Sequence, residues 1–260
     1  MFKHLIPLNA ATHRDVRFAP DLNPQTVAAL MTCPIVASEA AMACREYPIV
    51  FPKANNALPM VLLGVEQGHN RYLDGTGRWI SRYIPAHIRR YPFMLAEPKK
   101  AATNGAEKSL IVMVDKQAVS ESTNKGLRLF NDDGTPNDTL RKVESTLLNL
   151  HRDSLRTMAM VNAIDAAGLL VERVLKVKEK HATKPFGLSG MRIIDTAKLR
   201  ECSPETLHSL ARSGALLLIY THIISQANLI DGPLIERERA TSTVGTSHFS
   251  DIIAFNFDNH

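Results

Sequence analysis

The hydrophobic pattern changes period once, near Pro136, and that change limits what the chain can fold into more than any other feature. Before it, apolar residues come in short runs bounded by Pro, Asn and Gly: Tyr47–Phe51, Leu58–Val65, Ser109–Asp115 and Leu127–Phe130. Runs of this length between turn residues predict buried strands. Asn55-Asn56 supplies one turn, Asp74-Gly75-Thr76-Gly77 a hairpin turn between Arg71–Leu73 and Arg78–Ile80, and Asn131–Gly134 another. After Pro136 the apolar positions recur every three or four residues. Asp138 is placed to cap a helix running to about His151, and Asp153 to open a second one that closes at Gly168. Ser203-Pro204-Glu205 starts a third, which ends at Gly214, and Ala215–Asn228 follows, apolar on nearly every side and so expected at the centre of the core. Two shorter helices are expected at 25–33 and Ser38–Cys44, with Ser38 as cap. Pro85 opens a single helical turn.

The fold class that follows is α+β, a strand-rich antiparallel N-terminal half packed against a helical C-terminal half. One domain is expected over 1–240, strand-rich from 45 to 135 and mostly helical from 138 to 230, with Leu170–Lys178 and Met191–Ile194 as a late strand pair. Residues 1–24 read as an extended lead-in, Lys99–Lys108 as a polar loop, and 241–260 as a tail in which Ile252–Phe257 has the character of an edge strand.

Function classes are narrowed by what is missing. The longest apolar runs fall far short of the roughly 20 residues that span a bilayer, so membrane insertion is not expected. Three cysteines, Cys33, Cys44 and Cys202, cannot staple a chain of 260 residues and read as free or buried thiols. Met1–Asn9 carries one lysine and lacks the apolar centre of a secretion signal, which predicts a cytoplasmic location. There is no phosphate-binding glycine loop and no dinucleotide fingerprint, and Gly187–Gly190 misses the spacing of a nucleophile elbow. Neither the cysteines nor the histidines fall at metal-ligand spacing, and Asp132–Asp138 lacks the alternating ligands and closing Glu of a calcium loop. No cofactor, no metal and no catalytic residue is therefore assigned. Tyr220, His222, Ser225 and Asn228 lie in the most apolar helix, and the three-residue spacing of the last three puts them on one face. A buried polar stripe of this kind satisfies neighbouring backbone first, and catalysis by His222 with Ser225 is the alternative.

The charge distribution points to a recognition surface. Lys and Arg number 31 against 26 acids, a net +5 and a pI near 9.2. Most of that excess lies between Gln67 and Leu95, where Arg71, Arg78, Arg82, Arg89 and Arg90 face Asp74 alone. Arginine suits bidentate recognition of carboxylate or phosphate, and here it alternates with Tyr72, Trp79, Tyr83, His87, Tyr91 and Phe93. The residues expected to bind a ligand are Arg71, Arg78, Trp79, Arg82, Tyr83, His87, Arg89, Arg90 and Tyr91. The bland alternative turns the rings into the core and the guanidinium groups to solvent. The ligand would be a small anionic or saccharide molecule or a protein partner. So mild a net charge argues against a nucleic-acid footprint, and a homodimer is the generic expectation for a chain of this kind.

Several blocks carry a family resemblance: Leu8-Asn9 with His13-Arg14, Glu46–Phe51, Gly77-Arg78-Trp79, Tyr83–Ala86, Arg89–Phe93, Leu207–Gly214, and Leu218–His222 with Ser225. In this order the chain resembles the SapC family of bacterial proteins. The resemblance implies a non-catalytic binding or accessory protein, auxiliary to nutrient uptake. The family's name ties it to paracrystalline surface layers, so a surface-layer or cell-envelope structural protein is one alternative, and an enzyme of unrecognised class is another.

Overall fold

The computed structural model describes residues 1–18, 24–66, 68–97, 110–120, 126–177 and 186–234. In chain order its elements are β1 (Leu5–Pro7), α1 (Ala10–His13), β2 (Arg17–Phe18), α2 (Pro24–Ala28), β3 (Thr32–Pro34), a 3₁₀ turn at Ala37–Glu39 and α3 (Ala40–Ala43). Then follow β4 (Ile49–Pro52), β5 (Met60–Leu62), α4 (Ala86–Arg89), β6 (Phe93–Ala96) and β7 (Ile111–Asp115). A second 3₁₀ turn at Lys116–Ala118, β8 (Val119–Ser120), β9 (Leu127–Arg128) and α5 (Asp138–Ala166) come next. The chain closes with β10 (Leu170–Val177), β11 (Phe186–Ile194), α6 (Thr196–Arg200), α7 (Pro204–Ser213), α8 (Ala215–Ser225) and α9 (Asn228–Asp231). The fold is α+β: strands dominate the N-terminal half and helices the C-terminal half. Among the described residues no single helix is long and apolar enough to cross a membrane.

The chain forms two compact units. The first draws on Met1–Thr26 and Arg89–His151. It holds two small antiparallel sheets, one ordered β1-β7-β6 and the other β8-β2-β9. Its core joins Val16, Phe18, Phe93, Val114, Leu129 and Phe130 to Leu140, Val143 and Leu147 on the first half of α5. The start of α5 is fixed by Asn137, whose Oδ1 accepts the Leu140 N–H at 3.1 Å. The cap is thus Asn137, one residue before the Asp138 expected, and the acid sits in the first turn, where it favours the helix dipole.

The second unit draws, among the described residues, on Val27–Ile88 and on 152–234. Its centre is a five-stranded antiparallel sheet, ordered β10-β11-β4-β5-β3. Helix α8 packs on β4 and β11 and is flanked by α3 and α7. Gly214 joins α7 to α8 with φ of 81°, and the two helix axes meet at 90°. Only glycine enters this left-handed backbone cheaply, so the corner was legible in the sequence.

Four expectations change. The strands between 45 and 135 do not make one sheet; they are shared among three, and β4, besides pairing with β5 as the turn between them predicts, also pairs with β11, matching Met191 to Pro52 and Arg192 to Phe51. The lead-in is not merely extended, since β1 and β2 enter sheets through partners about a hundred residues away. The segment expected as helix at 25–33 ends at Ala28, and Cys33 lies in β3. Finally, the two helices expected on either side of Asp153 are one, α5, of 29 residues. No Gly or Pro interrupts residues 138–166, and the Asp153 carboxylate accepts from Ser38 Oγ at 2.9 Å instead of capping a helix. That bond also takes Ser38 away from its expected capping role.

Candidate functional site

The Arg71–Tyr91 stretch is divided between the two units. In the second, the expected hairpin is reduced to its turn and one bridge, Leu73 to Trp79. Asp74 organises the turn. Its Oδ1 accepts from the Thr76 and Arg78 N–H groups, each at 2.9 Å, and from Thr76 Oγ1 at 2.6 Å, and Arg78 Nε donates to its Oδ2 at 3.2 Å. Partial burial works against ionisation here. The hydrogen bonds from Thr76 and the Arg78 backbone, with the Arg78 charge, outweigh it and hold the carboxyl at about 2. Arg78 is therefore engaged by the acid of its own turn. Arg71 is half-buried, while Arg82 faces solvent.

The rings of the stretch point the other way. Trp79 is buried, 6.3 Å from Tyr72 and 6.5 Å from Tyr47 between ring centroids. Trp79 Nε1 donates to Tyr47 Oη at 2.8 Å, and Tyr47 in turn donates to the carbonyl of Tyr83. Tyr72 Oη donates to the Glu46 carbonyl at 3.0 Å. Tyr83 Oη donates to Glu39 Oε2 at 2.6 Å, and the same oxygen accepts from Ala86 N–H at 2.8 Å while Oε1 accepts from Val36 N–H at 3.0 Å. Every polar tip meets a partner, as buried aromatics require. His87 is buried as well. In the first unit Arg89 is exposed, Arg90 lies over the Phe2 ring at 5.5 Å, and Tyr91 is buried with its ring 5.6 Å from that same Phe2. Of the nine expected site residues, then, Trp79, His87 and Tyr91 are interior packing, and the outward-facing groups are guanidiniums. Glu39 and Tyr47, which tie this packing together, were not singled out in the sequence. The signal for Glu39 was slight: an acid beginning an Ala-rich turn.

His222 and Ser225 are where helical spacing put them, on one buried face of α8. His222 Nε2 accepts the Ile194 N–H at 3.2 Å and Nδ1 donates to the Ile49 carbonyl at 2.8 Å, so the ring is neutral with its proton on Nδ1. Continuing the β4–β11 register by two residues sets Ile49 opposite Ile194. The imidazole thus stands in the ladder where the strands would otherwise bond directly. Ser225 Oγ accepts from Ile49 N–H at 2.9 Å and donates to the His222 carbonyl at 2.6 Å. Burial lowers the histidine pKa to about 4, against the contrary pull of the Ile49 carbonyl. With both nitrogens committed to backbone and about 1% of the residue exposed, the pair is a stitch between helix and sheet.

The opposite face of α8 differs from what its composition predicts. Leu217, Tyr220 and Ile224 are 59%, 50% and 61% exposed. Their spacing of three and four residues aligns them in one stripe along the helix. Nearby in the chain Ile230 of α9 is also exposed, as is Met42 of α3. A helix apolar all round reads as fully buried, and only the packing reveals that, among the described residues, one side of this one is left largely exposed.

Taken together, these features define an α+β chain in which Trp79, His87, Tyr91 and the His222–Ser225 pair are buried and helix α8 leaves an apolar stripe exposed. The profile described as SapC matches residues 8–231, nearly the whole chain, and the protein belongs to the SapC family. No curated protein and no solved structure gives a significant match.

Proposed function

We propose that the chain is a non-catalytic binding or accessory protein of the SapC type that works through contact with a protein partner. The exposed, uncharged stripe Leu217–Tyr220–Ile224 carries this reading. Large apolar side chains left together on one helix face mark association surfaces more often than they mark monomer surface. The neutral, fully bonded His222–Ser225 pair supports the non-catalytic part, because a general base needs a free nitrogen within reach of substrate. The test is retention of interacting protein by the tagged chain, compared with a Leu217→Glu/Ile224→Glu variant of unchanged circular dichroism. The variant should lose what the wild type retains, and equal retention would sink the reading.

A small anionic ligand on the arginine-rich stretch is the second reading, favoured by the solvent-facing guanidinium of Arg82. With the rings buried, such a site works by charge alone. Inorganic phosphate should then raise the melting temperature of the wild type but not of Arg82→Ala, and equal shifts would remove it.

A further inference from the structure

Building on the reading of α8 as a contact surface, we propose that its partner is a second copy of this chain. The two copies dock α8 on α8, antiparallel, about a two-fold axis near Tyr220. A two-fold contact uses the same patch on both subunits and must be complementary to itself. The stripe satisfies this condition: it reads aliphatic, aromatic, aliphatic in either direction. Reversed on itself, it sets Leu217 against the partner's Ile224, and Tyr220 against the partner's Tyr220. The spacing of three and then four residues is that of helices that pack side by side with interlocking side chains.

Charge points the same way. From Gly214 to Ile230 there is no Asp, Glu, Lys or Arg. The one titratable group directed inward from this stretch, His222, is buried and neutral on the far face. A chain of net +5 would ordinarily repel its own copy, but α8 itself carries no charge that would do so. Equally, α8 offers a charged partner no ion pair. The three stripe residues, each at least half exposed, make up only part of a full interface. A standard interface takes ~800 Å² from each subunit. The stripe accordingly fills the dry centre of such an interface and leaves the remainder to a polar rim, which predicts a reversible dimer in the micromolar range.

Sedimentation velocity on the full chain from about 5 to about 300 µM brackets that range. The wild type should move from monomer toward dimer, and Leu217→Glu/Ile224→Glu should stay monomeric throughout with an unchanged circular dichroism spectrum. Because glutamates can also disturb folding, a second variant tests the geometry by gaining a bond. In a Cys202→Ser background, Tyr220→Cys lies close enough to the axis for the ~5.5 Å Cα separation of a disulfide. Mild oxidation should link it to its copy, whereas Leu155→Cys, exposed on α5, should not link. A wild type monomeric at the highest concentration, or a Tyr220→Cys chain that links no more than Leu155→Cys, overturns the proposal. If that monomer still needs Leu217 and Ile224 to retain another protein, the contact-surface reading stands without the second copy. If it retains nothing, both fall.

Discussion

Replacing His222 with phenylalanine should cost stability at neutral pH and cost little or nothing at pH 4. At pH 7 the variant keeps a ring beside Phe51, whose centroid lies 5.2 Å from the imidazole, but it loses both ring nitrogens. The Ile49 carbonyl still accepts from Gln226 Nε2 at 3.0 Å, whereas the Ile194 N–H is left without the imidazole that accepted it. A buried donor stripped of its acceptor costs about 1–3 kcal/mol. The wild type carries a liability of its own. Its histidine has a pKa of about 4 when folded, against an ordinary 6.5. The unfolded chain therefore binds a proton at higher pH than the folded chain does. Stability from this group is complete above about pH 6.5, falls as the pH drops toward 4, and is gone below it. At 1.36 kcal/mol for each pH unit, the loss comes to about 3 kcal/mol. The variant has nothing to protonate at this position, and the remaining histidines are the same in both proteins. Trp79, the single tryptophan, is buried in the same unit and reports its unfolding by fluorescence. Urea titrations of both proteins at pH 7, 6, 5 and 4 should show the wild type's advantage of about 2 kcal/mol shrink to zero or change sign. An advantage that stays constant down to pH 4 would mean that His222 protonates as readily folded as unfolded, and the inserted-imidazole account would fail.

Two further outcomes follow from the same packing. Tyr47→Phe removes the acceptor of the Trp79 indole N–H and the donor to the Tyr83 carbonyl. It should destabilise the second unit by about 1–3 kcal/mol and shift Trp79 emission, and an unchanged spectrum would count against the network. Gly64→Ala should be among the most damaging single changes in the chain, because a Cβ there would stand 2.1 Å from the His69 carbonyl oxygen. A loss above ~3 kcal/mol, or no soluble folded protein, is expected, and a near-neutral effect in urea unfolding would refute the close approach.

Some of this architecture was legible in residue order because its causes are local. Ser203, Pro204 and Gly214 bracket α7, Gly168 ends α5, and the turns at Asn56 and Gly134 take the positive φ that their residue types allow. The change of period at Pro136 settled the α+β class by the same logic, since a helix and a strand each need only neighbouring residues to declare themselves. The spacing of His222 and Ser225 likewise put them on one face before any contact was known.

What tertiary structure alone decided has a different physical origin. The pairing of β4 with β11 joins residues about 140 apart, and local composition carries no record of which distant strand offers the complementary edge. Trp79, His87 and Tyr91 alternate with arginines in a way that fits a ligand platform or a packed core equally well, and only the surrounding side chains choose. Helix α8 shows the limit most plainly. Its composition says that every side can be buried at no cost, but burial needs something to lie against, and among the described residues nothing covers Leu217, Tyr220 and Ile224 to more than about half.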